Sequence, residues 1–476
     1  MKSTNLTMWA ILMFCALPLP ACTVGPDYVK PVPVASMPTA YQELAGWKVA
    51  QPQDDRLAER WWEIYQDPIL NSLVEQVAVS NLNVAAAAAQ FREARALVQA
   101  ARSGYFPSLT AGASANRVHT SENFGGGPSG GVTASTFRLP LDVTWELDLW
   151  GRVRRGVESS QAAAQASAAD LAAVTLSIQA ELAGNYFQLR VLDAQQQLLD
   201  ATATVYRKSL ELTNYRYEAG AVAKTDSLQA EAQLRSTEVQ ALDISLQRTQ
   251  LEHAMALLIG KPPEAFSLPA TALAAAIPPI PVGLPSELLE RRPDIASAER
   301  QVAAANARIG VAQAAYFPTI QLSAAAGYQA TQLAEWLTWP SHFWSVGPAM
   351  SATLFDGGLR SSLSEQARAA YDGTVAAYQE AVLTGFQEVE DNLAALRILE
   401  QELQVQDQAV QAAQQVVTIT TSQYQAGAVT YLNVLVAQAI ALADQRTALN
   451  LVGRRLIASV LLVKALGGGW QPQEPT

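Results

Sequence analysis

The chain has 476 residues, half of them apolar, with a charged fraction of 16% and a formal net charge of −11. The acidic balance argues against nucleic acid as a partner, because nucleic acid requires a basic face. The charged fraction is well below the roughly 25% of soluble domains, so something other than a charged surface must cover the protein. No run of 18 apolar residues lies beyond the N-terminus, and no transmembrane helix is therefore predicted. No metal or other cofactor is predicted either, because the histidines show no metal-ligand spacing: His119, His253 and His342.

Residues 1–21 predict a secretory signal, with an apolar run over 8–19 that is too short to span a membrane as a mature helix. The signal ends Leu-Pro-Ala before Cys22, which resembles the bacterial lipobox. That resemblance implies that Cys22 carries lipid, palmitate included, and becomes the mature N-terminus. A plain signal peptide cut nearby is the alternative. The only other cysteine, Cys15, lies inside the signal, so the mature chain has no disulfide pair.

Residues 22–67 are predicted to form a lipid-anchored, extended N-terminal segment. Five prolines lie between Thr23 and Pro52, and proline disfavours helix and favours extended chain. The segment is therefore expected to tether the lipid to the body of the protein. Thr23 follows the cysteine in place of the aspartate that is associated with retention in the inner membrane, so an outer-membrane location is expected.

The rest of the chain is a duplication. Three landmarks recur in the same order at an offset of 207 to 211 residues, which chance does not readily produce. The matched pairs are 105–109 with 316–320, 217–222 with 424–429, and 258–260 with 465–467. Two structural repeats are therefore predicted over 68–260 and 286–467. A proline-rich linker over 261–285 joins them, and a tail over 468–476 follows.

Each repeat shows the same order of predicted elements: a helix, a pair of strands, a very long helix and a return helix. They are 68–102, 105–148, 151–216 and 225–259 in the first repeat, and 286–315, 316–356, 360–424 and 430–466 in the second. A helix over 151–216 would extend about 100 Å. The two shorter helices of a repeat together nearly equal the long one, which predicts that they stack end to end beside it. A plain coiled coil is the alternative, but the large apolar a and d residues that it requires are missing.

The strand pairs indicate a membrane. Residues 136–148 alternate between apolar and polar without a slip, and the apolar set is Phe137, Leu139, Leu141, Val143, Trp145 and Leu147. This is the period of a strand with one apolar face, and its length suffices to cross a bilayer. The other strands are predicted over 105–116, 316–329 and 343–356, and an interfacial aromatic belt is predicted at Trp336, Trp339 and Trp344. An ordinary soluble hairpin is the alternative.

Four membrane strands per chain are too few to close a barrel, and an open sheet leaves unsatisfied edges in lipid. The protein must therefore be an oligomer. A dimer would have eight strands and a trimer twelve. Only the larger number leaves room for a lumen, since eight strands fill with side chains.

Three sequence features together resemble the outer membrane efflux protein family. They are Cys22–Tyr28 with Pro31, the Trp61-Trp62 to Asp67-Pro68 entry, and the Leu289–Ile295 run that contains Arg-Arg-Pro-Asp. More narrowly, they look like the NodT-like lipoproteins of resistance-nodulation-division pumps. The resemblance implies a mixed α and β fold: a trimeric transmembrane β-barrel, with four strands per protomer, continued by a long periplasmic α-helical barrel. It also implies a homotrimer in outer membrane lipid, with a periplasmic adaptor and an inner-membrane resistance-nodulation-division transporter as partners.

The predicted function is a passive exit duct for small molecules. The sequence contains no glycine-rich phosphate loop with lysine, so the energy for export must come from a partner. An exit duct of a type I-like protein secretion system is the alternative within the same class. A cell-envelope enzyme is the alternative from another class. It would need a nucleophile with a base, or paired carboxylates, and the sequence shows neither arrangement.

The turns after the two long helices are predicted to dock the adaptor, because they lie about 100 Å along the helices from the strands. The docking residues are predicted to be Tyr217, Gly220, Ala221, Val222, Gln425, Gly427, Ala428 and Val429. A merely structural turn is the alternative, since glycine is common in turns.

The family resemblance also implies a gate at these turns, in which Tyr424 donates to Asp226. Some relatives place carboxylates toward the pore after the second turn, where this chain has Asn433 and Val436, so the constriction is expected to be polar or apolar. The alternative interpretation is that Tyr424 packs on a neighbouring helix and Asp226 caps the return helix.

Overall fold

The structure is a computed structural model that describes residues 23–33, 40–43, 60–121, 123, 131–273, 278, 280 and 291–470. The predicted signal and lipidation site, most of the linker and the last residues of the tail lie outside the described residues. Within the described parts, no helix is both long enough and apolar enough to cross a membrane.

The described elements follow the duplicated order. The helices are α1 (Pro68–Ser80), α2 (Leu82–Arg102), α3 (Arg152–Glu218), α4 (Lys224–Leu258), α5 (Pro293–Ala314), α6 (Leu359–Gln425) and α7 (Tyr431–Ala465). The strands are β1 (Ser108–Ala111), β2 (Ser114–His119), β3 (Thr133–Glu146), β4 (Thr319–Ala330) and β5 (His342–Ser351).

The two repeats differ in length at one place. Helices α3 and α6 each have 67 residues, and α4 and α7 each have 35. In each of these two pairs the second helix begins and ends 207 positions after the first. The Tyr-Phe-Pro sequences before the strands are 211 positions apart, at Tyr105 and Tyr316. The extra four residues of the first repeat therefore lie between its Tyr-Phe-Pro sequence and the start of α3, which is the strand hairpin.

The chain forms two compact units. Of the described residues, the first contains those up to Pro31, those within Arg92–Ala166 and those within Glu299–Ala377, and so holds every strand of the described chain. The second contains the described residues within Val32–Phe91, within Ser167–Ala298 and from Tyr378 onward. Each long helix begins in the first unit and continues in the second.

The strands form one antiparallel sheet in the order β1-β3-β4-β5, and β2 also pairs with β3. Strands β1 and β2 lie one after the other along the same edge of β3, opposite 141–144 and 133–138. The prediction of one continuous strand over 105–116 was therefore wrong. The strand is interrupted at Gly112, whose N–H donates to Pro140 O at 3.1 Å. In the single chain, the strands at the two edges of the sheet, β1 with β2 and β5, each pair with another strand on one side only.

The core of the second unit begins at the Asp-Pro entry. Asp67 caps α1, because its carboxylate accepts from the N–H groups of Ile69 and Leu70 at 2.9 and 3.1 Å. The other Asp67 oxygen accepts from the buried hydroxyl of Tyr186 at 2.5 Å. Burial is the largest cause that raises the pKa of Tyr186, to about 12. The Asp67-Pro68 sequence, which is part of one of the three features that resemble the family, thus starts α1 and joins it to α3.

The predicted helix over 68–102 is in fact two helices that break at Asn81, which has an extended backbone with φ −70° and ψ 129°. The Asn81 carboxamide oxygen accepts from the N–H groups of Asn83 and Val84 at 2.8 and 3.1 Å, so it caps α2. Its amide nitrogen donates to the carbonyl of Leu258, the last residue of α4, at 2.7 Å. The break therefore serves to join α2 to the end of the return helix.

The second repeat has the same joint at Arg292, which lies 211 positions after Asn81. The predicted helix over 286–315 is interrupted there, and α5 starts at Pro293. Arg292 donates to the carbonyl of Ala465, the last residue of α7, at 3.0 Å. Two glycines complete the joints: a Cβ on Gly260 would lie 2.2 Å from Ser80 O, and one on Gly467 would lie 2.1 Å from Arg291 O. In both repeats the return helix and the short helix therefore meet end to end.

Candidate functional site

The two helical turns have the same backbone. Gly220 and Gly427 are left-handed, with φ +74° and +76°. In each turn the N–H that follows the glycine closes a wide loop: Ala221 donates to Arg216 O at 2.8 Å, and Ala428 donates to Gln423 O at 2.9 Å. This is the Schellman arrangement that ends a helix at a glycine. Nothing lies within 4 Å of a Cβ added at either glycine, so the turns require glycine for its φ and not for close packing.

The predicted docking residues lie mainly on the surface of these turns. Those that are exposed in the single chain are Tyr217, Gly220, Ala221, Gln425, Gly427 and Ala428. Val222 and Val429 are half-buried, and Val429 packs against a small apolar cluster that both hairpins form: Ala230, Tyr424, Tyr431 and Val434. The two groups belong to separate turns, α3–α4 and α6–α7.

Tyr424 lies at the centre of that cluster and is only 6% exposed. Its ring contacts the ring of Tyr431, with 5.4 Å between centroids and 61° between planes. The guanidinium carbon of Arg216 lies 4.8 Å from the Tyr424 centroid, and the same group donates to Tyr424 O at 3.4 Å. The Tyr424 hydroxyl is buried and has no hydrogen-bond partner among the residues that the structure describes. A bond from Tyr424 to Asp226 is therefore not made in this single chain.

Asp226 and Asn433 occupy equivalent places, each in the first turn of a return helix. The Asp226 N–H donates to Ala223 O at 3.0 Å, and Thr430 donates through its hydroxyl to the Asn433 side chain at 2.9 Å. The charge of Asp226 also affects the pKa of Tyr431, a buried tyrosine of the second hairpin. Burial raises the pKa of Tyr431 most, its hydrogen bond with Ser209 lowers it, and the charges of Tyr424 and Asp226 raise it further.

The sequence alone gives no indication of Arg216, Ser209 or Tyr431, which join the two hairpins. Ser209 and Tyr431 hydroxyls lie 3.3 Å apart, and Arg216 contacts Tyr424 as described. The position equivalent to Arg216 in the second repeat is Gln423, so a comparison of the two copies gives no signal for it. Only the packing of one hairpin on the other reveals these three residues.

The hairpins differ sharply in charge. No Asp, Glu, Lys, Arg or His occurs in the 36 residues from 408 to 443. The equivalent stretch of the first hairpin, 201–236, contains nine charged residues: Arg207, Lys208, Glu211, Arg216, Glu218, Lys224, Asp226, Glu231 and Arg235. Elsewhere, no group of three or more His, Cys, Asp or Glu side chains that could hold a metal ion occurs in the described part of the chain.

The sheet presents apolar side chains to its surroundings. Leu141 on β3 is 50% exposed, and Trp344 and Met350 on β5 are 71% and 72% exposed. The aromatic residues of the second loop gather at one end of the sheet. Trp336 contacts the ring of Phe137 at 5.8 Å between centroids, and Trp339 stacks on His342 at 4.6 Å. A water-soluble domain would bury such a face, so the sheet is suited to lipid.

An apolar, exposed antiparallel sheet that continues into two long helical hairpins defines the class of outer-membrane channels with helical extensions. The sequence profile of the outer membrane efflux protein family matches residues 73–261 and 284–468, and the chain belongs to this family. The two matched stretches correspond to the two repeats. The prediction of an outer-membrane efflux channel that extends into the periplasm is thereby confirmed, and the family consists of transport proteins.

Named relatives match over nearly the full length. The solvent efflux pump outer membrane protein SrpC of Pseudomonas putida is 32% identical over 475 residues, which cover 99% of each chain. The pyoverdine export outer membrane protein OpmQ of Pseudomonas aeruginosa is 32% identical, covering 87% of this chain and 88% of its own. Among solved structures, the outer-membrane channel OprN has a TM-score of 0.88 at 32% identity, covering 95% of this chain and 100% of its own.

Proposed function

We propose that the chain is one of three subunits of a passive exit duct in a tripartite efflux pump. The observation that carries this proposal is the open sheet, whose edges at β1/β2 and β5 each have one partner while its face is apolar and exposed. Lipid tolerates no unpaired edge, so β5 of one chain is expected to pair with β1 and β2 of the next. Twelve strands then enclose a lumen.

Native mass spectrometry in detergent tests this assembly. The expected species has the mass of three chains. A monomer that keeps a protease-resistant sheet would contradict the proposal, because four strand positions would then have closed on their own. A dimer would also contradict it, since eight strands leave no lumen.

We propose that the exported molecules are small and that a periplasmic adaptor and an inner-membrane resistance-nodulation-division transporter supply selection and energy. The named relatives serve solvent efflux and pyoverdine export, which supports a small-molecule cargo. Deletion of the gene should raise susceptibility to the same compounds as deletion of the partner pump. If the deletion instead abolished secretion of a protein, the duct would belong to a protein secretion system.

We propose that Cys22 carries the lipid anchor of this outer-membrane protein. The support is the Leu-Pro-Ala-Cys sequence at the end of an apolar signal. Cys22→Ser should abolish labelling by a palmitate analogue. Unchanged labelling in that variant would remove the lipoprotein proposal while leaving the channel proposal intact.

We propose that the two turns dock the adaptor. Ala221 and Ala428 are exposed, and a Cβ added at the glycine beside each would meet no atom within 4 Å, so a larger side chain is expected to fit without disturbing the turn. Ala221→Trp and Ala428→Trp should each reduce efflux while the trimer stays in the membrane. Ser236→Trp, at an exposed position further along α4, is the control. Normal resistance in both turn variants would count against docking at this site.

We propose that contacts between the two hairpins keep the channel closed at the two helical turns. Tyr424 is the central residue of these contacts. Two versions of this gate are distinguishable. If Tyr424 donates to Asp226, then Tyr424→Phe and Asp226→Ala should each raise single-channel conductance in planar bilayers. If only the ring matters, Tyr424→Phe should behave as wild type, because the hydroxyl has no partner in the single chain, and Tyr424→Ala should open the channel. Wild-type conductance in all three variants would contradict the gate.

A further inference from the structure

A short piece of the N-terminal segment, residues 40–43, binds to α6. The carboxylate of Glu390 accepts from two consecutive backbone N–H groups, those of Gln42 at 2.7 Å and Glu43 at 3.1 Å. Arg397 donates to the Glu43 carboxylate at 2.8 Å through Nε and lies 2.7 Å away through a terminal nitrogen. Glu390 and Arg397 are seven positions apart, so they lie on one face of the helix two turns apart.

Tyr41 provides the apolar half of this contact. Its side chain is 4% exposed and belongs to the hydrophobic core of the second unit. The segment is therefore bound through a buried aromatic ring, two backbone amides and one acidic side chain. This is a built site for a short turn of peptide on the surface of a helix.

The first repeat has a counterpart. Arg190 on α3 lies 207 positions before Arg397, which is also the offset between the two long helices. Arg190 donates to Pro269 O at 2.8 Å, and Arg248 donates to Leu268 O at 2.6 Å. The Asp193 carboxylate accepts from the N–H of Thr271 at 3.3 Å. The duplicated arginine thus holds, in each repeat, a non-helical segment from outside the long helices.

The two sites differ in burial. In the first repeat the side chains of Arg190 and Asp193 are 3% and 1% exposed. In the second, those of Arg397 and Glu43 are 37% and 26% exposed. Water and salt screen the more exposed pair, so its contribution is smaller and depends on ionic strength.

We propose that Glu390, Arg397 and the core around Tyr41 form a docking site for residues 40–43, and that this docking is a releasable clasp. It is the second-repeat counterpart of a permanent clasp, formed by Arg190, Asp193 and Arg248, on the segment after α4. Gln42 and Glu390 are 348 positions apart, so the clasp closes only after α6 has been made and folded. Residues 40–43 then dock on α6 whether or not Cys22 carries lipid.

Hydrogen exchange of the full-length protein, read by mass spectrometry at single-residue resolution, tests the clasp. The amides of Gln42 and Glu43 should be protected in the wild type. Glu390→Ala with Arg397→Ala should reduce their protection at least tenfold while the amides of α6 keep theirs. Arg454→Ala is the matched control, because it removes an exposed ion pair between α7 and Glu402 of α6 (3.6 Å) and should change nothing at Gln42.

Two further measurements decide the inference. Molar salt should reduce the protection of Gln42 and Glu43 but not that of Thr271, whose acceptor is buried. If the double variant keeps full protection and only Tyr41→Ala loses it, the ring alone holds the segment and the polar clasp is refuted. Equal salt sensitivity at Gln42 and Thr271 would refute the distinction between releasable and permanent clasps.

Discussion

The first helical hairpin, α3–α4, and the second, α6–α7, have the same lengths and the same glycine turns but different side chains. The first has nine charged residues in the 36 positions around its turn, and the second has none. Tyr217 in the first turn is 41% exposed, whereas its equivalent, Tyr424, is 6% exposed. The duplicated backbone geometry is therefore what the fold requires, and the side chains were free to diverge toward separate tasks.

The largest difference in stability between the hairpins is expected when a charge is placed in the uncharged stretch of the second hairpin, residues 408–443. Val434 is 2% exposed and packs with Tyr424 and Tyr431, so Val434→Glu would bury an unpaired carboxylate. We expect a loss of roughly 3–5 kcal/mol in the stability of the second hairpin, by analogy with unpaired buried charges. Local opening measured by hydrogen exchange of the α6–α7 amides checks this value.

The equivalent position in the first hairpin provides the control. Ser227 is half-buried, and its hydroxyl donates to the Asn214 side chain at 2.5 Å. Ser227→Glu should cost about 1 kcal/mol, the value of one hydrogen bond. A similar loss at both positions would show that the hairpins do not differ as their charges suggest.

The turn glycines should behave alike, because their geometry is the same. Gly220→Ala and Gly427→Ala should each destabilise their own turn by about 1–2 kcal/mol, the cost of a left-handed backbone with a Cβ. No neighbouring atom adds to that cost at either site. Gly373→Ala, at an exposed helical position with no atoms near its Cβ, should instead stabilise α6. Unequal losses at the two turns would disprove the shared geometry.

The smallest effect is expected at the contact between the hairpins. Arg216→Gln removes the guanidinium from the ring of Tyr424, a contact of about 0.5–1 kcal/mol at a partly exposed site. A double-mutant cycle of Arg216→Gln with Tyr424→Leu, read by the same amide exchange, isolates this term. Zero coupling energy would mean that Arg216 acts only through its bond to the Tyr424 carbonyl.

The sequence predicted the long helices well, because their determinants are local. Alanine, glutamine and leucine favour helix over the whole stretch, and a glycine stops it. The predicted ends, 151–216 and 360–424, lie within two residues of α3 and α6. The break at Asn81 was missed, although Asn is a strong capping residue.

Contacts between residues far apart in the chain could not be predicted from a single sequence. Asn81 reaches Leu258 and Gln42 reaches Glu390, across 177 and 348 positions. No periodicity or turn signal connects such pairs. The same holds for the two helical turns. The turns were found from their repetition and the role of Tyr424 from the family resemblance, whereas Arg216 is unique to the first repeat and emerged only from packing. The Tyr424–Asp226 link and the docking residues remain predictions.

The four-residue difference between the repeats has a consequence for engineering. From the start of each long helix to the end of its return helix the two copies have the same number of residues. At each joint that follows, an added Cβ on the glycine would clash with a backbone carbonyl. Length has varied only in the strand hairpin. An epitope or fluorophore tag is best inserted in the strand hairpin, because the two repeats already differ in length there. A single residue added to α3 would rotate everything beyond it by about 100° out of register with the joint.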